Sequence, residues 1–78
     1  MGHQFDALAL DTEARALLAV LVAAAAHGRL THDEARRASG LNAVRYPAAL
    51  GQLEQAGALL RLIVGPRMIA FTLAGGAQ

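Results

Sequence analysis

Arginine is the only basic residue type in this chain of 78, at positions 15, 29, 36, 37, 45, 61 and 67. A planar guanidinium can bond two oxygens at once, which suits phosphate and the edge of a base. One reading puts Arg45 on a base or phosphate, Arg37 and Arg29 on flanking backbone, and Arg67 at the tip of a turn. The other reading is an ordinary solvated charged surface, and both stay open here. A formal net charge of +1 decides nothing, because a local stripe of arginine can matter where the sum does not.

The remaining reactive side chains point away from catalysis. There is no cysteine, so disulfides, thiolate nucleophiles and Cys-based zinc sites are all excluded. His3, His27 and His32 have no partner at a metal-ligand spacing, so no metal is expected. Ser39 has no base near it in sequence, and Asp33 with Glu34 reads as a helix start. The expectation is a cofactor-free protein that is not an enzyme. Met1 to Asp6 shows no basic segment followed by an apolar core, and with no cysteine used the expected compartment is the cytoplasm.

These residues need a scaffold, and the composition supplies one. At 55% hydrophobic and 17% charged the chain should fold, and its length allows a single domain over 1–78, with an arm at 1–10 and a frayed tail at 74–78. A domain this small is expected to gain stability from a partner or a second copy.

Ala16 to Ala26 is the longest apolar run, eleven residues against the roughly 20 a membrane span needs, so it is read as a soluble helix. Asp11 can cap it, Glu13 lies in its first turn, and His27-Gly28 can stop it, giving a helix from Thr12 to about Ala26. Leu17, Leu18, Val20, Leu21 and Val22 go all the way round its axis, so one side is expected to meet another chain. That makes Leu17, Leu18, Leu21 and Val22 the candidate homodimer interface. The alternative is that the alanines simply tolerate water.

Arg29-Leu30-Thr31 reads as a short extended segment. Thr31 with Glu34 three residues on forms a capping box, and a second helix runs from His32 to Ala38, ending at Ser39-Gly40. A third helix is entered through Leu41, capped by Asn42 and ended by Gly57, with Tyr46, Leu50 and Leu53 on its buried face. Pro47 is sound only in a first turn, so the regular helix starts near Tyr46 or the stretch from Asn42 is a kinked or 3₁₀ turn. Gly51 leaves room for another backbone or a ligand. Leu59 to Val64 and Met68 to Leu73 flank Gly65-Pro66-Arg67 as a hairpin. Leu60, Leu62, Val64, Ile69, Phe71 and Leu73 are expected to face the helices, with Arg61, Ile63, Met68, Ala70 and Thr72 on the other side.

The order helix, short strand, helix, tight turn, helix, hairpin resembles a winged helix-turn-helix domain from Asp11 to Leu73. Thr31-His32-Asp33-Glu34-Ala35, Ser39-Gly40-Leu41-Asn42 and Leu50-Gly51-Gln52-Leu53-Glu54-Gln55-Ala56-Gly57-Ala58-Leu59 are similar to the pattern T-x-x-E-L-A, T-G-L-S, A-L-x-x-L-E-x-A-G-L-[IV] of small bacterial and archaeal winged-helix regulators. The resemblance implies an α+β fold, mainly α, with the third helix in the major groove of duplex DNA and the hairpin as a wing on the backbone. It places Ala43, Val44, Arg45, Pro47, Ala48, Gly51 and Gln52 on the groove-facing side. Only Arg45 and Gln52 of these can read a base edge, where such regulators carry several polar residues. The second helix also departs from the pattern, with Ala35 and Arg36 where leucine and a small residue are usual.

Two functions follow as expectations. The first is a stand-alone, homodimeric regulator binding duplex DNA through Asn42, Arg45, Gln52, Arg37, Arg29 and Arg67. The alternative is an interaction module that docks on a larger protein through the flat apolar patch of Ala43, Val44, Pro47, Ala48 and Gly51, or through the first helix.

Overall fold

The computed structural model describes residues 10–74, so the expected arm apart from Leu10 and the expected tail apart from Ala74 lie outside the described residues; Ala74 is not frayed but donates its N–H to the Ala58 carbonyl at 2.9 Å. Three helices and a three-stranded antiparallel sheet make an α+β fold: α1 Thr12–Ala23, β1 Arg29–Thr31, α2 His32–Ser39, α3 Arg45–Gln55, β2 Leu59–Val64 and β3 Met68–Leu73. The strand order is β1-β3-β2, which puts the last strand in the middle of the sheet.

The helix ends follow from local chemistry. The Asp11 carboxylate accepts the Ala14 N–H at 2.8 Å and starts α1. At Thr31 the capping box is complete: its hydroxyl accepts the Glu34 N–H and the Glu34 carboxylate accepts the Thr31 N–H, each at 3.0 Å. Gly40 closes α2 in the left-handed conformation, φ 75°. Helix α1 ends at Ala23, three residues short of Ala26, because the chain must turn to bring β1 alongside β3. The Ala24 carbonyl takes both the His27 and Gly28 N–H groups, and Gly28, at φ 72°, then accepts the Phe71 N–H at 2.8 Å. A Cβ on Gly28 would lie 3.3 Å from the Phe71 carbonyl, so glycine is needed here for space as well as for φ.

Helix α3 begins at Arg45, one residue before Tyr46, which is the first of the two alternatives the proline allowed. The Asn42 side chain accepts the Val44 and Arg45 N–H groups at 2.9 and 2.7 Å, and residues 43 and 44 form a turn before the helix. Pro47 is therefore third in the helix, within the first turn, where no intrahelical donor is lost.

The core lies between the helices and the inner face of the sheet. Leu17, Leu21, Leu53 and Ile69 are its largest fully buried side chains, joined by Tyr46, Leu50 and Phe71. Leu17 and Leu21 are 0% exposed, so two of the four residues expected between copies are interior instead. The face of α1 left open presents Val22, Ala19 and Ala23, and Leu18 is partly buried against the core.

The hairpin forms as expected, with Gly65 N–H bonded to the Met68 carbonyl at 2.8 Å and Pro66-Arg67 at the turn. Its inward face is corrected at two positions. The β2–β3 register slips between Leu59 and Arg61, and this bulge turns Leu60 outward, 72% exposed. Val64 lies beside the buried Ile69 but on the edge strand, covered from one side only, and is exposed.

Candidate functional site

His32, the first residue of α2, ties three elements together. Its backbone N–H donates to the Arg67 carbonyl at 2.9 Å. Its Nε2 lies 2.7 Å from the Gly65 carbonyl and its Nδ1 lies 2.8 Å from the Tyr46 hydroxyl. A carbonyl can only accept, so Nε2 carries the proton, and in the neutral ring Nδ1 accepts from the hydroxyl. Burial raises the Tyr46 hydroxyl above its ordinary pKa, against a smaller opposing pull from Arg36, which keeps it a donor at neutral pH. The two rings stand edge to face, 5.6 Å apart at 75°. The starts of α2 and α3 and the hairpin turn are thus linked through one imidazole, and a cleft of about 400 Å³ between the start of α2 and the hairpin turn is lined by Thr31, His32, Asp33, Pro66 and Arg67. Sequence reasoning gave His32 only a place at a helix start. The one available signal was that Tyr46, the chain's single tyrosine, would need a partner for its hydroxyl once buried.

The candidate DNA-contacting residues divide into groups. Asn42 and Arg45 are exposed at the start of α3, and Arg67 is exposed at the hairpin turn. Arg37 extends into solvent, 3.8 Å from Asp33. Arg29 lies apart from these, on β1 opposite Ala70, with its side chain exposed on the outer face of the sheet. Arg36, half-buried one position past the buried Ala35, is drawn onto Asp33 at 2.6 Å, which gives its charge a partner on α2.

Both base-reading groups of α3 have acidic neighbours at the start of α1. Arg45 Nη1 is 3.0 Å from Glu13 Oε1. Gln52 accepts the Asp11 N–H at 2.8 Å and donates from Nε2 to the Asp11 carboxylate at 3.2 Å. The apolar patch beside them is open at Ala43, Val44, Pro47 and Ala48, with Val44 75% exposed and Gly51 half-buried. A Cβ on Gly51 would meet nothing within 4 Å among the described residues, so none of them requires glycine there.

No protein family, curated protein or solved structure matches this chain. Among the described residues no group of three or more His, Cys, Asp or Glu could hold a metal ion, and no helix is long and apolar enough to cross a membrane.

The Asp11 site yields a prediction about acid. Its carboxyl is held below the ordinary aspartate pKa, first by the Ala14 N–H and then by Gln52. A group depressed in the folded state contributes stability above its unfolded pKa and loses it as pH falls through the folded value. Asp11→Asn keeps the bond from Ala14 but cannot titrate. Unfolding midpoints in urea are therefore expected to separate wild type from Asp11→Asn at pH 7 and to converge toward pH 3. Parallel curves over that range would show that the carboxylate's charge contributes nothing.

Proposed function

We propose that this chain is a small winged helix-turn-helix protein that binds duplex DNA as a cytoplasmic regulator, with α3 in the major groove and the hairpin turn on the backbone. The observation that carries the reading is the His32 bridge. It links Tyr46, in the first turn of α3, to the hairpin turn, which supports a fixed relation between the helix that carries Arg45 and the turn that carries Arg67. A helix matches the width of the major groove, and a rigid neighbour sets its angle there. The mechanism is occupancy of a site, with no reaction and no cofactor. Self-association through α1 belongs to the same proposal, now resting on Val22, Ala19 and Ala23 in place of Leu17 and Leu21.

The test is a titration with random-sequence duplex at two salt concentrations. Arg45→Ala and Arg67→Ala are each expected to weaken binding and to reduce the salt slope by roughly one. Absence of binding by wild type at low salt, or unchanged affinity in both variants, removes the proposal.

One observation favours a second reading, docking on a larger protein through α3. Gln52 and Arg45 are engaged by Asp11 and Glu13, while the apolar patch around Val44 is left bare. Val44→Arg separates the two: the added charge strengthens duplex binding under the first reading and abolishes partner binding under the second.

A further inference from the structure

The outer face of the sheet is a surface that duplex binding by α3 leaves unused. Register puts Arg29, Ala70 and Ile63 in one row across β1, β3 and β2, with Thr31 and Met68 in the row nearer the hairpin turn and Thr72 and Arg61 in the row beyond. Residues paired across strands, and those two apart along a strand, share a face. The intervening residues of β3, Ile69 and Phe71, are buried under the helices, so this row pattern is the solvent side. Arg29, Arg61, Ile63, Met68 and Thr72 are exposed and Ala70 is half-buried.

Three features of this face select its partner. Its apolar residues are Met68 and Ala70 on the middle strand and Ile63 beside them on β2. Its two edges each carry an arginine, and among the described residues neither Arg29 nor Arg61 has an ion-pair partner. No acidic residue lies on any of the three strands. Strand spacing near 4.8 Å and a rise near 3.4 Å per residue, taken two strands across and two residues along, set the backbones of Arg29 and Arg61 about 12 Å apart. An α-helix with its side chains is about 10–12 Å wide. Arg29 and Arg61, without an ion-pair partner among the described residues, thus stand on opposite edges about one helix width apart, with Ala70 and Thr72 between them and Ile63 and Met68 continuing the face diagonally toward the hairpin turn.

We propose that this face docks an amphipathic helix of a partner protein, with the helix's apolar stripe on Ile63, Met68 and Ala70 and its flanking carboxylates on Arg29 and Arg61. Charge complementarity requires the acidic flanks, and the apolar floor requires the stripe between them. A duplex laid on this face would satisfy the arginines but press Ile63 and Met68 against phosphate. The docking stands whether or not α3 binds DNA.

The experiment follows the methyl resonances of Ile63 and Met68 while three probes are titrated: a synthetic helical peptide with a leucine stripe flanked by glutamates, the same peptide flanked by lysines, and short random duplex DNA. The glutamate peptide is expected to shift both methyls and to bind about tenfold more tightly than the lysine peptide, from two pairs gained in one case and two repulsions in the other. Arg29→Glu with Arg61→Glu is expected to invert that preference, and because both side chains are exposed the fold is retained, which circular dichroism checks. Should the double variant unfold, the preference of the wild type and its loss at high salt decide alone. Equal affinity for the two peptides, unshifted methyls, or the same shifts produced by duplex DNA in place of the glutamate peptide would each overturn the assignment.

Discussion

Leu17→Ala is expected to remove a large fraction of the protein's stability. The side chain is 0% exposed, and replacing a buried leucine by alanine costs about 2–5 kcal/mol, more where the surroundings cannot collapse into the space. Little can collapse here: Ala14, Ala24, Ala35, Ala49 and Ala58 fill much of the remaining interior and have no length to spare. At roughly 0.05–0.15 kcal/mol per residue, 78 residues hold about 4–12 kcal/mol in total, so one such cavity removes a large fraction of it. Urea unfolding at two protein concentrations measures the effect. A loss that is the same at both concentrations places Leu17 in the core of each copy. A loss seen only on dilution would return it to an interface between copies, and an unchanged midpoint would mean the interior tolerates the void.

The same residue shows where the sequence was legible and where it was not. Local signals were reliable: Asp11, the Thr31 and Glu34 box, Gly40 and the Gly65-Pro66 turn each act within a few residues, and each element they bound is present. The buried side of α3 was legible for the same reason, since Tyr46, Leu50 and Leu53 follow the helical period. Helix α1 was different because an apolar run without a polar face carries no phase. Nothing in Ala16 to Ala26 says which leucines turn inward, and only the positions of α2 and α3 assign Leu17 and Leu21 to the core. The end of α1 and the outward Leu60 were hidden for a related reason. One depends on where β1 must meet β3, the other on a slip of one residue against β3, and strand alternation read from β2 alone assumes no slip.

The candidate site was legible in residue types and hidden in partnerships. Arg45 and Gln52 stand near the exposed side of α3 as the helical period requires. That Glu13 and Asp11, 32 and 41 residues away, should meet them is a matter of how α1 crosses α3. A surface pair such as Arg45 with Glu13 contributes about 0–1 kcal/mol, little enough that a phosphate could replace the carboxylate. The acids therefore set a threshold on α3 without closing it.

The second large effect is expected at His32. His32→Ala leaves the Tyr46 hydroxyl and the Gly65 carbonyl without their partner in a half-buried setting, at a cost of about 1–3 kcal/mol. Tyr46→Phe removes a single hydroxyl and keeps the edge-to-face packing, so its cost is smaller, about 0.5–1.5 kcal/mol. Combined, the two changes should cost less than their sum, because once the imidazole is gone the hydroxyl has nothing left to lose. Hydrogen exchange adds a local reading: Gly65, whose N–H is bonded across the turn, should exchange faster in His32→Ala while the amides of α1 follow only the global loss. Strict additivity of the two variants, with exchange at Gly65 no faster than elsewhere, would mean that the histidine merely fills space. The hairpin turn would then be held by the sheet alone, and the fixed relation between the start of α3 and the turn that carries Arg67 would lose its physical basis.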